Sequence, residues 1–160
     1  MRIQIGAVGR LKQGPAQSLC VDYLKRVELQ GRAIGLRSIS VHEIAESRKS
    51  TASARRTQEA ERLLAAVPSG AFVCALDEHG SPLTSKDFAT RLARLLDEGV
   101  GDLAFLVGGP DGHGPDVLAR SDLMLSLGPM TWPHMLARAM LAEQLYRAVT
   151  ILANHPYHRE

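Results

Sequence analysis

The chain ends in Asn154-His155-Pro156-Tyr157-His158-Arg159-Glu160, a heptapeptide that sets two imidazoles, a phenol, a guanidinium and the terminal carboxylates side by side. Chain ends are ordinarily polar and dispensable, so this concentration of reactive groups calls for a role. Imidazole changes charge near neutral pH and suits proton transfer. A ring can stack on a nucleobase while a guanidinium holds a phosphate, so the tail reads as a base-reading or acid–base element. Metal binding is disfavoured. His155 and His158 straddle Pro156 away from helical ligand spacing, and neither His134 nor any nearby cysteine or carboxylate completes a set.

Two turns upstream have the composition of a ligand site. Gly108-Gly109-Pro110-Asp111-Gly112-His113-Gly114 follows an apolar strand. It lacks the lysine of a phosphate loop and the order of a dinucleotide fingerprint, and Asp111 puts a negative charge where a triphosphate would sit. Glycines let backbone groups approach a flat ligand closely, and equally serve a tight strand-to-helix turn. In Gly128-Pro129-Met130-Thr131-Trp132-Pro133 two prolines stiffen the loop, and Met130 and Trp132 offer apolar surface to a ring such as adenine. Trp132 is as well suited to packing. Beyond it, Leu141, Leu145, Val149 and Leu152 form an apolar stripe. Arg138 lies off that stripe, and Glu143 and Arg147 stand in the favourable i,i+4 order for an ion pair.

Positioning these groups requires an ordered sequence of elements. A strand over 2–8 leads through a basic turn into a helix over 16–29, which Gly31 and Gly35 break. Alternation over 36–41 predicts an exposed strand, and 46–56, without an aliphatic residue larger than alanine, predicts a mobile loop before a helix carrying 59–66. The apolar run 71–76 predicts a strand covered on both faces, ending in the acidic turn 77–80. Thr84 with Asp87 resembles a capping box for a helix over 85–97. A strand over 102–107, a short helix over 115–120 starting at Pro115, a strand over 123–127 and a helix over 133–152 complete the chain. Alternating strands and helices predict an α/β fold with a parallel sheet of about five strands, in one domain over 1–160. Such sheets place ligands at the carboxyl ends of their strands, where both turns lie.

Composition narrows the class. At 160 residues with 45% hydrophobic and 22% charged content the chain reads as a soluble globular protein. No apolar run reaches the roughly 18–20 residues of a membrane span, and the N-terminus reads as a strand rather than a signal peptide. Cys20 and Cys74 are too few for a disulfide framework and imply buried thiols in a reducing cytoplasm. The net charge of +2 hides an asymmetry: residues 1–62 carry 12 Lys/Arg against 6 Asp/Glu, and the remainder is acidic. Arg10, Lys12, Arg48, Lys49, Arg55 and Arg56 are candidates for gripping RNA phosphates.

Four stretches carry a resemblance to a known family: Phe105-Leu106-Val107-Gly108-Gly109-Pro110-Asp111-Gly112, Thr131 with Pro133-His134, Ala142-Glu143-Gln144-Leu145-Tyr146-Arg147, and the terminal heptapeptide. With Ile5-Gly6-Ala7-Val8-Gly9 and Ala75-Leu76-Asp77, they make the whole chain resemble the RlmH (YbeA) family of SPOUT-class enzymes, the ribosomal RNA large-subunit pseudouridine N3-methyltransferases. The resemblance implies a parallel-sheet SPOUT fold with a C-terminal trefoil knot, S-adenosyl-L-methionine as cofactor, and a cytoplasmic homodimer whose tails complete each other's sites. It implies cofactor contacts at Leu76, Gly108 and Gly109, and along Leu127, Gly128, Pro129, Met130, Thr131, Trp132 and Pro133. His158 is then the candidate for moving the N3 proton, and Arg159 and Arg138 for meeting the resulting charge or a phosphate. Tyr157 would stack on the target base, and Glu143 would orient Arg147 or His158. The implied partner is ribosomal RNA in the large subunit or assembled ribosome, with no metal and no membrane. The chain departs from the family pattern at Asp111, His113-Gly114, Gly128-Pro129 and Trp132. The rival expectations are a non-enzymatic RNA- or ribosome-binding factor that kept the fold, and an α/β enzyme for another adenine nucleotide.

Overall fold

The computed structural model describes residues 1–157. At its centre is β4 (Asp102–Val107), buried at every position after its first. β1 (Arg2–Val8) pairs with it on one side and β3 (Phe72–Pro82) on the other; β2 (Ser38–Ile44) and β5 (Leu123–Ser126) close the edges. The order is β2-β1-β4-β3-β5 and every pairing is parallel, as expected.

A strand in the middle of a parallel sheet needs cover on both faces, which is why β4 is continuously apolar. Leu103, Phe105 and Val107 share one core with helices α1 (Pro15–Gly31), α3 (Ser85–Asp97) and α5 (His134–Leu152) through Val27, Phe88, Leu92, Leu141 and Leu145. Leu106 joins the opposite core with Ala60 and Leu63 of α2 (Ala52–Ala65) and Val117 of α4 (Pro115–Arg120). Each such side chain contributes about 1.5–3 kcal/mol of burial free energy. Both cysteines are buried thiols, as expected, and burial pushes Cys74 up to about 12.

β4, α3 and α4 have the expected bounds, and Thr84 caps α3, its Oγ1 accepting the Asp87 N–H at 3.1 Å. α1 runs on to Gly31 and through a 3₁₀ turn at Arg32–Ile34 to Gly35, which takes a left-handed φ of 91°. β2 lies further along than the alternation predicts, because pairing with β1 runs from Arg2↔Ser38 to Val8↔Ile44. Leu36 falls outside it, buried against Gly31. α2 starts well inside the expected loop: Thr51 Oγ1 accepts the Ala54 N–H at 3.2 Å and confines the loop to 45–50.

The largest correction concerns 77–80, expected as a turn that ends the third strand. β3 instead continues to Pro82, and its register with β5 shifts between Leu76 and Ser81, both of which pair with Leu125. The intervening residues form an excursion, braced where Asp77 Oδ1 accepts the His79 N–H at 2.9 Å. Gly80 brings the chain back: a Cβ there would lie 2.7 Å from the main-chain carbon of Met124. Residues 123–126 thus sit against the returning backbone of β3.

Candidate active site

The two turns that leave β4 and β5 face each other across a cleft of ≈ 560 Å³ at the carboxyl end of the sheet. Leu76, at the brink of the β3 excursion, forms its floor with Val107 and Leu125. Gly108 and Gly109 line one wall; Leu127, Gly128 and Met130 line the other, continued by Thr131, Trp132 and Pro133. Of the expected cofactor positions only Pro129 is not in the lining; it is exposed. The structure therefore gathers nine of the ten positions around one space.

Local chemistry shapes both walls. Gly109 and Gly112 form a tight bridge, with the Gly112 N–H donating to the Gly109 carbonyl at 3.0 Å and Gly112 at a φ of 79°. In the second wall Gly128 has a φ of 111°, and its N–H donates to Ser126 Oγ at 3.2 Å. Ser126, 7% exposed, also donates to the Gly128 carbonyl at 3.1 Å. Sequence reasoning passed over Ser126; a small hydroxyl at the last strand position before a glycine is the signal that could have found it.

Asp111 is not the bare charge that the sequence suggests. Arg55 of α2 donates to it twice, Nε to Oδ2 at 2.6 Å and Nη2 to Oδ1 at 3.1 Å. The guanidinium holds the Asp111 carboxyl below its usual range. Arg55 is therefore engaged with the turn instead of reaching for RNA, a correction to its expected role. Arg10, Lys12, Arg48 and Lys49 are exposed, and Arg56 is half-buried.

His113, a second residue that sequence reasoning left without a role, is 8% exposed and lines the same cleft. Its Nε2 lies 3.2 Å from the Leu106 carbonyl, which can only accept, so Nε2 carries the proton. Nδ1 is then an acceptor, buried and without a hydrogen-bond partner among the described residues. Burial pushes the ring below its ordinary value, against the pull of the Leu106 carbonyl and Asp77.

Arg138 is corrected outright. Expected to meet substrate charge, it is 2% exposed, and both of its terminal nitrogens are engaged within the chain. Its Nη2 donates to the carbonyls of Val8 and Gly9 at 2.6 and 2.7 Å, and its Nη1 to Glu43 Oε1 at 2.8 Å. Glu43 also accepts the Leu11 N–H at 2.8 Å, so Arg138 and Glu43 together hold the end of β1 and the start of the basic turn. Burial lowers the Arg138 pKa from its ordinary value, and Glu43 opposes the shift.

Glu143 and Tyr157 come together. Glu143 Oε1 accepts from Arg147 Nε at 2.9 Å and from the Tyr157 hydroxyl at 3.2 Å, while Oε2 accepts from Gln144 at 2.8 Å. The Tyr157 ring lies 4.6 Å from that of Tyr146, with the Arg147 guanidinium 5.2 Å from its centroid. Burial, then the Tyr23 hydroxyl, push the Tyr157 phenol up, so it stays a neutral donor. Its ring is held by its own subunit rather than presented for base stacking. The expected roles of His158 and Arg159 lie outside the described residues.

Beside this cluster runs a second cavity of ≈ 650 Å³, more apolar, lined by Leu19, Tyr23, Phe88, Leu136 and Met140. It shares Leu125, Leu127, Gly128 and Trp132 with the cleft, so one thin wall separates the two. Leu19 and Leu136 are exposed there at 49% and 43%, an uncovered apolar face. Among the described residues no helix is long and apolar enough to cross a membrane.

Known proteins resemble this chain over its full length. The family described as "Predicted SPOUT methyltransferase" matches residues 1–158. A Brucella anthropi protein named "Ribosomal RNA large subunit methyltransferase H" is 49% identical over 159 residues, covering 99% of each chain. A Ruegeria pomeroyi protein of the same name is 51% identical over the same length and coverage. Among solved structures, a probable methylase family protein from Haemophilus influenzae Rd KW20 aligns with a TM-score of 0.50 at 12% identity, over 99% of this chain and 70% of that one. That likeness is one of fold alone.

Proposed function

Since the chain belongs to the SPOUT methyltransferase family, we propose that it methylates N3 of a pseudouridine in large-subunit ribosomal RNA. The donor in this reading is S-adenosyl-L-methionine, and the enzyme is a cytoplasmic homodimer of single-domain, C-terminally knotted subunits. The observation that carries it is the cleft between two backbone-lined turns, beside the β3 excursion and at the carboxyl ends of β4 and β5, in a chain about half identical to proteins named "Ribosomal RNA large subunit methyltransferase H".

The residues present suit the donor. The cleft's ≈ 560 Å³ falls within the roughly 300–1,000 Å³ of small-molecule sites. Gly108, Gly109 and Gly128 expose main-chain groups to an adenosine, Leu76, Met130 and Trp132 supply apolar surface, and the Nδ1 of His113 is an acceptor in the wall without a partner among the described residues. No lysine-bearing phosphate loop competes with this reading.

When bound, S-adenosylmethionine supplies an electrophilic methyl group. The chain's own contribution is placement, with the glycine turn and the 127–133 turn fixing the ligand from two sides. N3 of the target base carries a proton that must leave before attack, and His158 is the group proposed to take it. Arg159 meets the negative charge that spreads over the flanking carbonyls. Tyr157, anchored on Glu143 and Tyr146, fixes the last described residue before His158 and Arg159. The apolar face at Leu19 and Leu136 is the surface a second copy would cover, and Arg10, Lys12, Arg48 and Lys49 would hold RNA phosphates.

The test is incubation with methyl-labelled S-adenosylmethionine and large ribosomal subunits or ribosomes lacking the modification, followed by mass spectrometry of the nucleosides. One methyl per large subunit, on N3 of a pseudouridine, is the expected outcome. Truncation after Asn154 should abolish transfer while calorimetric titration still shows cofactor binding. RNA binding with neither cofactor binding nor transfer would instead establish the non-enzymatic binding factor.

A further inference from the structure

Arg55 and Glu59 stand one helical turn apart on α2, and each touches the same two segments. Arg55 grips Asp111 of the glycine turn through Nε and Nη2, while its Nη1 donates to the carbonyls of Lys49 and Ser50 at 3.1 and 3.3 Å. Glu59, 4% exposed, accepts the Ser47 N–H on Oε1 at 2.8 Å. Its other oxygen, buried and without a hydrogen-bond partner among the described residues, lies under the turn: a Cβ on Gly109 would be 3.2 Å from it. A third tie comes from Gln58, whose Oε1 accepts from Ser47 Oγ at 2.7 Å. The segment 45–50, nearly all of it within the 46–56 expected as a mobile loop, is thus fastened to the turn that lines the cleft.

That segment presents Arg48 and Lys49 outward, and among the described residues neither makes an ion pair. We propose that Arg55 and Glu59 are positioning residues that make this basic segment and the glycine turn one unit, so that a polyanion held by Arg48 and Lys49 and an adenosyl ligand in the cleft bind cooperatively. The turn needs such outside support. Glycines at 108, 109 and 112 leave its backbone compliant; His113 ties its far end to the Leu106 carbonyl, and Asp111 is its tie to α2. An anion that orders 45–50 orders the Arg55 and Glu59 contacts with it, and less ordering is then left for the cleft ligand to supply. The effect is reciprocal by linkage. This inference rests on the functional reading above in taking RNA as the polyanion and S-adenosylmethionine as the ligand.

The measurement is equilibrium dialysis of labelled S-adenosylhomocysteine, which cannot react, against the full chain with and without saturating unmodified large ribosomal subunits at one salt concentration. In the wild type the subunits should tighten ligand binding by about fivefold or more, the lower end of typical coupling. Arg55→Gln should bring that ratio close to one. Asp111→Asn removes the same pair from the turn's side and keeps the test decisive if Arg55→Gln fails to fold. Asp111→Glu, which restores a carboxylate for the fork, should keep a ratio above one. A wild-type ratio of one, or a ratio unchanged in both Arg55→Gln and Asp111→Asn, would overturn the coupling and leave the functional reading intact. Failure of the free wild type to bind S-adenosylhomocysteine at all would overturn both.

Discussion

At the scale of single residues, the buried cation and the buried imidazole make separate predictions. Replacing Arg138 by Met leaves Glu43 without its partner and the Val8 and Gly9 carbonyls without donors. Breaking such a pair from one side costs about 3 kcal/mol, so thermal unfolding of Arg138→Met should begin roughly 6–12 °C lower. Methyl transfer by the folded fraction at low temperature should persist, which separates a structural arginine from a catalytic one. His113 is held below its ordinary value of 6.5 by burial. As pH falls through 6.5 the unfolded chain takes up a proton that the folded chain refuses, so stability declines until the lower, folded value is reached and is flat below it. The slope from this one group is at most about 1.4 kcal/mol per pH unit. Denaturant melts of His113→Leu between pH 7 and 5 should lose that component and keep whatever Asp77 and the other carboxylates contribute. Neither residue's part was legible beforehand. A lone arginine off an apolar stripe looks solvated until β1 is seen to end over it, and a histidine among glycines looks like part of a turn.

At the scale of elements, what the chain declares locally and what only pairing decides can be separated. β4 and α3 were legible because their signals are local: an unbroken apolar run, and Thr84 with Asp87 at cap spacing. The 77–80 excursion was not, because an acidic tetrapeptide ending in glycine reads identically whether the strand stops or detours. Only the return of Ser81 and Pro82 onto β5 distinguishes the two. The shift of β2 has the same origin, since β1 sets its register. Gly80 is the testable hinge of this account. A methyl group there meets main chain rather than a pliable side chain, with Met124 and Leu125 atoms at 2.7 and 2.8 Å. Gly80→Ala should cost about 3 kcal/mol and loosen Leu76 in the cleft floor, measurable as weaker cofactor binding at temperatures where the variant is still folded.

At the scale of the whole molecule, the charge asymmetry and the uncovered apolar face belong to opposite tasks. The basic half carries the exposed cations suited to RNA, and the face at Leu19 and Leu136 is suited to a second copy. Leu136→Asp should shift sedimentation from dimer to monomer. Because Leu136 lies outside the cleft lining, that variant should still bind cofactor in calorimetry while losing transfer. The site was legible in part: the two turns were recognisable as walls, but the tether of 45–50 to the first of them depends on Arg55 and Glu59 meeting partners about 50 residues away, beyond any periodicity.

The thin partition formed by Leu125, Leu127, Gly128 and Trp132 has a consequence for inhibition. A compound lodged in the apolar groove would compete with the second copy proposed to cover Leu19 and Leu136, and would press on the partition from behind without entering the cleft. Such a compound need not imitate adenosine, so it would have no reason to affect the many other enzymes that draw on the same methyl donor. Selectivity would come from the outer side of the wall, which Leu19, Tyr23, Phe88, Leu136 and Met140 line.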